Sequence, residues 1–287
     1  MRRQTSDRHI LFFADLHIHS ALSPCAENKM TPDNVLKKII SLGIDAFSIT
    51  DHNSGFNCTA FDAAAKERDI LFIPGIELQS SEEIHLLGYF PDIQTLNMFC
   101  STIVKPALMQ GMRNDPARFG HQLKIHASGK VAGEEEGMLS MPLNLSIDEL
   151  VDRIHDFSGV AVAAHIDKGF SVISQLGYIP PQLRIDAVEI QDIKKIDEIR
   201  LKFFKDRWLN IISSSDAHYL DMMKPPKMRL RLKSVDVKSC LDCIKGDGAG
   251  RIMISAKAVK NSQRAGEPSL GAKACEARDW KELYKRT

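Results

Sequence analysis

The stretch Asp15-Leu16-His17-Ile18-His19-Ser20 closes a short apolar run, Ile10-Leu11-Phe12-Phe13, and its reading decides the fold. In an extended chain the side chains alternate between two faces, so His17 and His19 leave the strand in the same direction, about 6–7 Å apart along the backbone. Two imidazoles aimed at one point suit a divalent transition metal, which needs several such ligands. Asp15, just upstream, is placed to accept the second ring N–H of a neighbouring imidazole and so fix its tautomer. A strand end with two solvent-facing histidines would show the same spacing, so the assignment rests on what the other strands deliver.

They deliver the same kind of residue. Thr31-Pro32 opens a helix with Val35, Leu36, Ile39, Ile40 and Leu42 as its apolar stripe, and Gly43 ends it. The strand Ala46 to Thr50 then runs directly into Asp51-His52-Asn53, ahead of a helix over Phe61 to Arg68. Ile70 to Ile73 continues through Pro74-Gly75 into Ile76-Glu77, a carboxylate in an apolar segment, which is costly to bury unless paired or on a metal. Ile84 to Tyr89 holds His85 inside another apolar run. Ser146-Ile147-Asp148-Glu149 reads as a capping box for a helix, followed by the fully apolar Val160 to Ala164 ending in His165. Asp186 to Ile190 is a further strand and Ile193 to Phe204 a helix. Asn210-Ile211-Ile212 leads into Ser215-Asp216-Ala217-His218, which repeats the two-residue spacing of the opening motif.

Strands alternating with helices, nearly all ending in His, Asp or Glu, point to a β/α barrel, where strand C-termini converge on one face and build the site. Six of the chain's 10 histidines (His17, His19, His52, His85, His165 and His218) occupy such positions, a placement chance explains poorly. The barrel is expected over residues 8–254, with an insertion at about 92–145 on its rim. That insertion contains a helix over Leu96 to Met109 and a hairpin turning at Ser128-Gly129. Met228 to Lys233 and Arg251 to Ile254 read as late strands and Val237 to Ile244 as a helix. Residues 255–287 hold too few large aliphatics for a core and are expected to be flexible or loosely packed.

The chain's 287 residues allow one large domain or two small ones, and the strand pattern favours the first. Thirty-eight Lys plus Arg against 37 Asp plus Glu leave a net charge of +1, so bulk charge makes no case for duplex nucleic acid or a membrane surface. No apolar run approaches a membrane span or signal core, and the six cysteines are scattered, which together suggest a cytoplasmic protein. Cys240 and Cys243 are expected to be core thiols. No feature of the sequence sets an oligomeric state.

Taken together, Asp15 to Ser20, Thr50-Asp51-His52-Asn53, Gly75-Ile76-Glu77, the His85 run, Ala164-His165 and Ser215 to His218 resemble the PHP family, named for polymerase and histidinol phosphatase. The resemblance implies a distorted seven-stranded β/α barrel of TIM-like, PHP type and two or three divalent ions, commonly zinc, iron or manganese. It implies that His17, His19 and Asp216 hold one ion, that Glu77 bridges it to a second held by His85 and His165, and that His52 and His218 bind a third. Glu77 and Asp216 thereby become the candidate catalytic carboxylates. Members of the family often place His or Asp in the loop after the first motif, where this chain has Cys25 and Glu27.

The chemistry expected is metal-assisted hydrolysis of phosphoesters. Lys168, three residues beyond His165, is positioned to attract a substrate phosphate. The expected substrate is a small phosphorylated metabolite or a short nucleotide. An exonuclease or oligonucleotide phosphodiesterase would use the same centre with a different rim. A metal-dependent amidohydrolase and a regulatory module that binds metal without catalysis remain the other readings.

Overall fold

The computed structural model describes residues 9–109, 111–204, 207–248 and 250–255. The strands are β1 (Ile10–Ile18), β2 (Ala46–Ile49), β3 (Leu71–Gln79), β4 (His85–Tyr89), β5 (Leu123–Ile125), β6 (Val131–Glu134), β7 (Val160–Ala163), β8 (Ala187–Glu189), β9 (Asn210–Ile212), β10 (Met228–Leu232) and β11 (Arg251–Ile254). Nine of them form one sheet in the order β11-β10-β1-β2-β3-β4-β7-β8-β9, and β5 and β6 pair as a separate hairpin. A parallel bridge between Ile18 and Ala217 ties β1 to the segment after β9, so the sheet is a nearly closed barrel.

The expected barrel is present with two corrections. Its sheet has nine strands rather than seven, because β10 and β11 join it antiparallel alongside β1. It is also mixed: β4 runs antiparallel to both β3 and β7. The link 80–84 is too short for a parallel crossover, which takes a dozen or more residues, so the chain turns back as a hairpin. His85 therefore lies at the start of its strand, and the reversal brings that start to the face where the parallel strands end.

The local signals act as the sequence suggests. Pro32 begins the helix Pro32–Leu42, and Gly43 ends it at φ 66°, its N–H bonded to the carbonyls of Ile39 and Ile40. Ser146 and Glu149 form the reciprocal capping box of helix Ile147–Asp156. The helix expected over Leu96 to Met109 starts earlier, at Ile93, where Asp92 caps it. It then passes through a π-helical stretch at Cys100–Val104 and stops at Ala107. Asn57 fastens the insertion to the barrel, its side chain accepting from Ile125 N (2.7 Å) and donating to Leu123 O (3.0 Å). Beyond Ser255 the expected loose C-terminal segment lies outside the described residues.

Two apolar cores support the barrel. One joins the sheet to the surrounding helices through residues such as Leu36, Phe47, Phe61 and Ile154. The other packs Phe12, Leu16, Tyr89, Val162 and Ile212 together, with Cys240, Leu241, Cys243 and Ile244 of helix Val237–Lys245. Tyr89 is fully buried and donates its hydroxyl to Leu16 O at 2.9 Å, so burying the phenol leaves no orphan group. Among the described residues no helix is long and apolar enough to cross a membrane.

Gly75 lies where β2 and β3 approach too closely for any side chain. A Cβ there would stand 2.3 Å from Ser48 Oγ and 2.9 Å from Thr50 Cγ2. Gly75→Ala is expected to destabilise the fold by about 1–3 kcal/mol, read as a lower urea midpoint at unchanged m-value.

Asp45 links β1 to β2, its carboxylate accepting from Phe13 N at 2.9 Å. Burial lifts its carboxyl from the ordinary 3.8 to about 6, against the opposing pull of that hydrogen bond. Because the folded pKa exceeds the unfolded one, this group's contribution to stability is complete below the unfolded value and is lost as the pH climbs through about 6. Asp45→Asn keeps an oxygen for Phe13 and cannot ionise. Its stability should fall less between about pH 4 and pH 7 than that of the parent chain, with a residual slope from Asp15, which burial also raises to about 6. Urea titrations at each pH measure the difference.

Candidate metal centre

Seven chain segments bring one acidic or imidazole group each, or two, to the same end of the barrel. Glu77, near the end of β3, occupies the middle and is 1% exposed. Its Oε1 lies 3.4 Å from His17 Nε2, 3.0 Å from His85 Nδ1 and 3.2 Å from His165 Nε2. Its Oε2 lies 3.3 Å from His19 Nε2 and 3.1 Å from His52 Nδ1. The main chain fixes it there: Asn53 N donates to Glu77 O at 2.8 Å and Glu77 N to Asp51 O at 3.1 Å, lacing the segment after β2 onto β3.

The tautomers of the opening pair follow from their outer nitrogens. His17 Nδ1 donates to Glu189 Oε2 at 2.9 Å. His19 Nδ1 meets Ser23 Oγ at 2.9 Å, and since that hydroxyl gives its one hydrogen to Asp51 Oδ1 at 2.7 Å, it must accept from the imidazole. Both Nε2 atoms therefore present lone pairs to the centre, where they face each other at 3.2 Å and face Asp216 Oδ1 at 3.3 and 3.4 Å. Lone pairs do not gather at that distance around carboxylate oxygens unless a proton or a cation lies among them. Donors about 2.0–2.1 Å from a central ion in a regular tetrahedron stand about 3.3–3.4 Å apart, close to the 3.2–3.4 Å that separate His17 Nε2, His19 Nε2 and Asp216 Oδ1. Glu77 offers a separate oxygen to each of the two nitrogens, and His17, His19 and Glu77 form one group of mutually close donors able to hold a divalent ion. Glu77 Oε1, His85 Nδ1 and His165 Nε2 form a second triangle, with the two imidazoles 3.3 Å apart.

The ionisations carry the same message. Burial alone would discharge His17, but Glu189, Asp216 and Glu77 hold its pKa well above the ordinary value. His19 is likewise raised to about 9 against burial, by Asp216 and Glu77, and His52 to about 9, chiefly by Glu77. Burial would raise the Glu77 and Asp216 carboxyls, yet the surrounding imidazoles hold both well below the usual range. The pocket demands compensating positive charge, which a bound ion supplies while releasing protons.

The sequence-derived residues all reach this pocket. His52 and His218 share one group of mutually close donors with His19, and His52 also belongs to a second, His52-Glu77-His85. His218 turns its Nδ1 to Asp216 O at 2.9 Å, and burial together with His19 lowers its pKa to about 3. Cys25 lies near His52 and helps to raise its pKa, and Glu27 joins the loop through its N–H to His218 O at 2.9 Å. Lys168 is half exposed, with Nζ 3.6 Å from Asp216 Oδ2. His121 and His126 are exposed.

Asp15 does not play the part its position suggested. Its Oδ1 accepts from Ser215 N at 3.0 Å, and the carboxylate that holds an imidazole is Glu189. Glu189 is fully buried, and its Oε2 also accepts from His165 N at 3.1 Å, so one oxygen aligns residues of two strands. The signal that singled out Glu77, an acid inside a buried strand, was equally present in Ala187-Val188-Glu189-Ile190.

Backbone strain concentrates here. Among the described residues seven non-glycine positions have positive φ, and four of them, Asn53 (45°), His165 (24°), Phe170 (52°) and Asp216 (51°), belong to the loops that carry the site.

The family model for the PHP domain matches residues 15–228. A 72-residue stretch is 35% identical to an error-prone DNA polymerase of Nocardia farcinica, covering 25% of this chain and 6% of the polymerase. A 223-residue alignment with the DNA polymerase III subunit alpha of Helicobacter pylori is 25% identical and covers 72% of this chain and 18% of that subunit. The chain thus spans less than a fifth of either polymerase. Among solved structures, the fold resembles a lesion-specific endonuclease of Pyrococcus furiosus, with a TM-score of 0.59 at 18% identity over 85% of this chain and 58% of the endonuclease. Endonuclease Q has also been solved with a 27-mer duplex carrying an abasic lesion at its active site. A protein of Bifidobacterium adolescentis assigned as a metal-dependent phosphoesterase gives a TM-score of 0.50 at 15% identity, over 71% of this chain and 87% of its own. Every histidine and acid gathered around Glu77 falls inside the matched span, on a barrel of the kind these structures share: the chain belongs to the PHP domain family.

Proposed function

We propose that this protein hydrolyses phosphoester bonds at a centre of two or three divalent ions, zinc, iron or manganese. In this reading His17, His19 and Asp216 would hold one ion, His85 and His165 a second with Glu77 shared between the two, and His52 and His218 a third. The observation that carries it is the convergence of buried imidazole lone pairs and carboxylate oxygens around Glu77, with neighbouring donors 3.2–3.4 Å apart. Divalent ions bound there supply Lewis acidity toward a phosphoryl oxygen and acidify coordinated water.

The chain's own groups arrange the rest. Glu77 and Asp216 are ionised, and Asp216 leaves its Oδ2 toward Lys168. The Lys168 ammonium, half in solvent, is free to swing from Asp216 to an incoming phosphoryl oxygen. Glu189 and the Ser23–Asp51 pair hold His17 and His19 in the tautomers that keep Nε2 available. The strained loops at His165 and Asp216 fix these side chains before substrate arrives.

We read the substrate as a small phosphorylated metabolite or a short nucleotide. Nucleic acid stays among the candidates, because an endonuclease of similar fold acts on a duplex and the near-zero net charge of this chain does not exclude a local contact. Metal analysis of the purified protein, with turnover of phosphomonoesters, cyclic diesters and short oligonucleotides, separates these readings. Monoester-only turnover identifies a phosphatase and stepwise shortening a nuclease.

Glu77→Gln should lower turnover by at least about a hundredfold, or roughly 2.7 kcal/mol of transition-state stabilisation, because a neutral amide cannot bridge two cations. Full activity in the metal-replete variant would refute the chemistry. Glu189→Gln leaves every donor in place and weakens the hold on the His17 tautomer. It should cost about 10–100-fold in metal affinity, measured by competition with a chromogenic chelator.

A further inference from the structure

The turn between His165 and Ser171 holds one side chain that the fold does not explain. Phe170 is 49% exposed and has φ 52°, a strained conformation rare for a bulky residue. Glycine or asparagine would make this turn with less strain. The turn itself is rigid: Lys168 N donates to His165 O at 2.8 Å and His85 N to Phe170 O at 2.7 Å. Ser171, fully buried, donates its hydroxyl to Lys168 O at 2.8 Å and caps the next helix.

What the strain achieves is placement. The Phe170 ring stacks on the His85 imidazole, with centroids 5.3 Å apart and planes 16° from parallel. His85 Nδ1 in turn lies 3.0 Å from Glu77 Oε1. One ring face is thus spent on a group of the metal centre while half the side chain remains in water. Lys168, two residues earlier on the same turn, points its ammonium at Asp216, so a cation for phosphate and a flat apolar ring share one rigid loop.

We infer that Phe170 is a stacking platform for a planar heteroaromatic group on the substrate, and that the site takes nucleoside phosphoesters in preference to phosphoesters without a base. This rests on the phosphoesterase reading for its chemistry, and the binding it describes stands independently. With a phosphoryl group held by cations at Glu77 and by Lys168, an ester substituent directed outward past His85 would meet the Phe170 ring. Stacking of a base on an aromatic side chain is strong and tolerant of base identity, because every base has a π-face.

The test compares adenosine 5′-monophosphate with ribose 5-phosphate, which share the sugar phosphate and differ at C1, where one carries the base and the other a hydroxyl. Dissociation constants from calorimetry and kcat/KM are measured for both in the parent protein, Phe170→Ala, Phe170→Leu and Phe170→Trp. The parent is expected to favour the nucleotide by at least about tenfold in both readouts, Phe170→Trp to keep that ratio, and Phe170→Ala and Phe170→Leu to collapse it. Leucine preserves apolar cover over His85 without a flat ring, so it separates stacking from shielding. A ratio that survives in the leucine variant, a loss shared equally by both compounds, or equal or undetectable binding of the two by the parent overturns the inference. A base preference in binding without turnover of either compound leaves it standing and defeats the phosphomonoesterase reading instead.

Discussion

One buried carboxylate organises this molecule. Glu77 is surrounded by five imidazoles, each within 3.4 Å of one of its oxygens, in a place water barely reaches. A charge removed from water this completely is tolerated only when opposite charge lies against it. The imidazoles can provide it by holding protons, which the raised pKa values of His17, His19 and His52 show they are driven to do, or by sharing cations. The second arrangement also satisfies the inward lone pairs of His17 and His19. The rest of the barrel reads as the scaffold that keeps this grouping from relaxing: Asp51 and Ser23 behind one imidazole, Glu189 behind another, and the backbone lacing of Asn53 and Asp51 to Glu77.

Much of that grouping is written locally and was legible. The two-residue spacing in His17-Ile18-His19 and Asp216-Ala217-His218, the polar clusters directly after apolar runs, and Glu77 inside a strand each announce themselves within a few residues. So do the helix boundaries at Pro32, Gly43 and Ser146, because capping is short-range chemistry.

What escaped the sequence depends on partners chosen across space. Strand direction is one example: β4 looks like any buried strand, and only the brevity of 80–84 betrays that it reverses. The carboxylate behind His17 is another. Asp15 is close in sequence and Glu189 is 172 residues away, yet the bond forms with the distant acid. Asp15 is instead drawn to the Ser215 amide. The overlap of His52 with two donor groups was equally hidden, since ring orientation follows from packing against His19 and His85, whose centroids lie 4.6 and 5.3 Å from it.

The seam that closes the barrel has a consequence for how the molecule comes into being. Leu16 N binds Ser214 Oγ and Ser215 N binds Asp15 Oδ1, contacts spanning 198 and 200 residues. A pairing so remote along the chain carries a large loop-closure entropy and is slow to find. A chain emerging from the ribosome can assemble its first strands and their helices early. The pocket stays unfinished until the segment through His218 has been synthesised, so a nascent or prematurely ended chain lacks the completed set of donors.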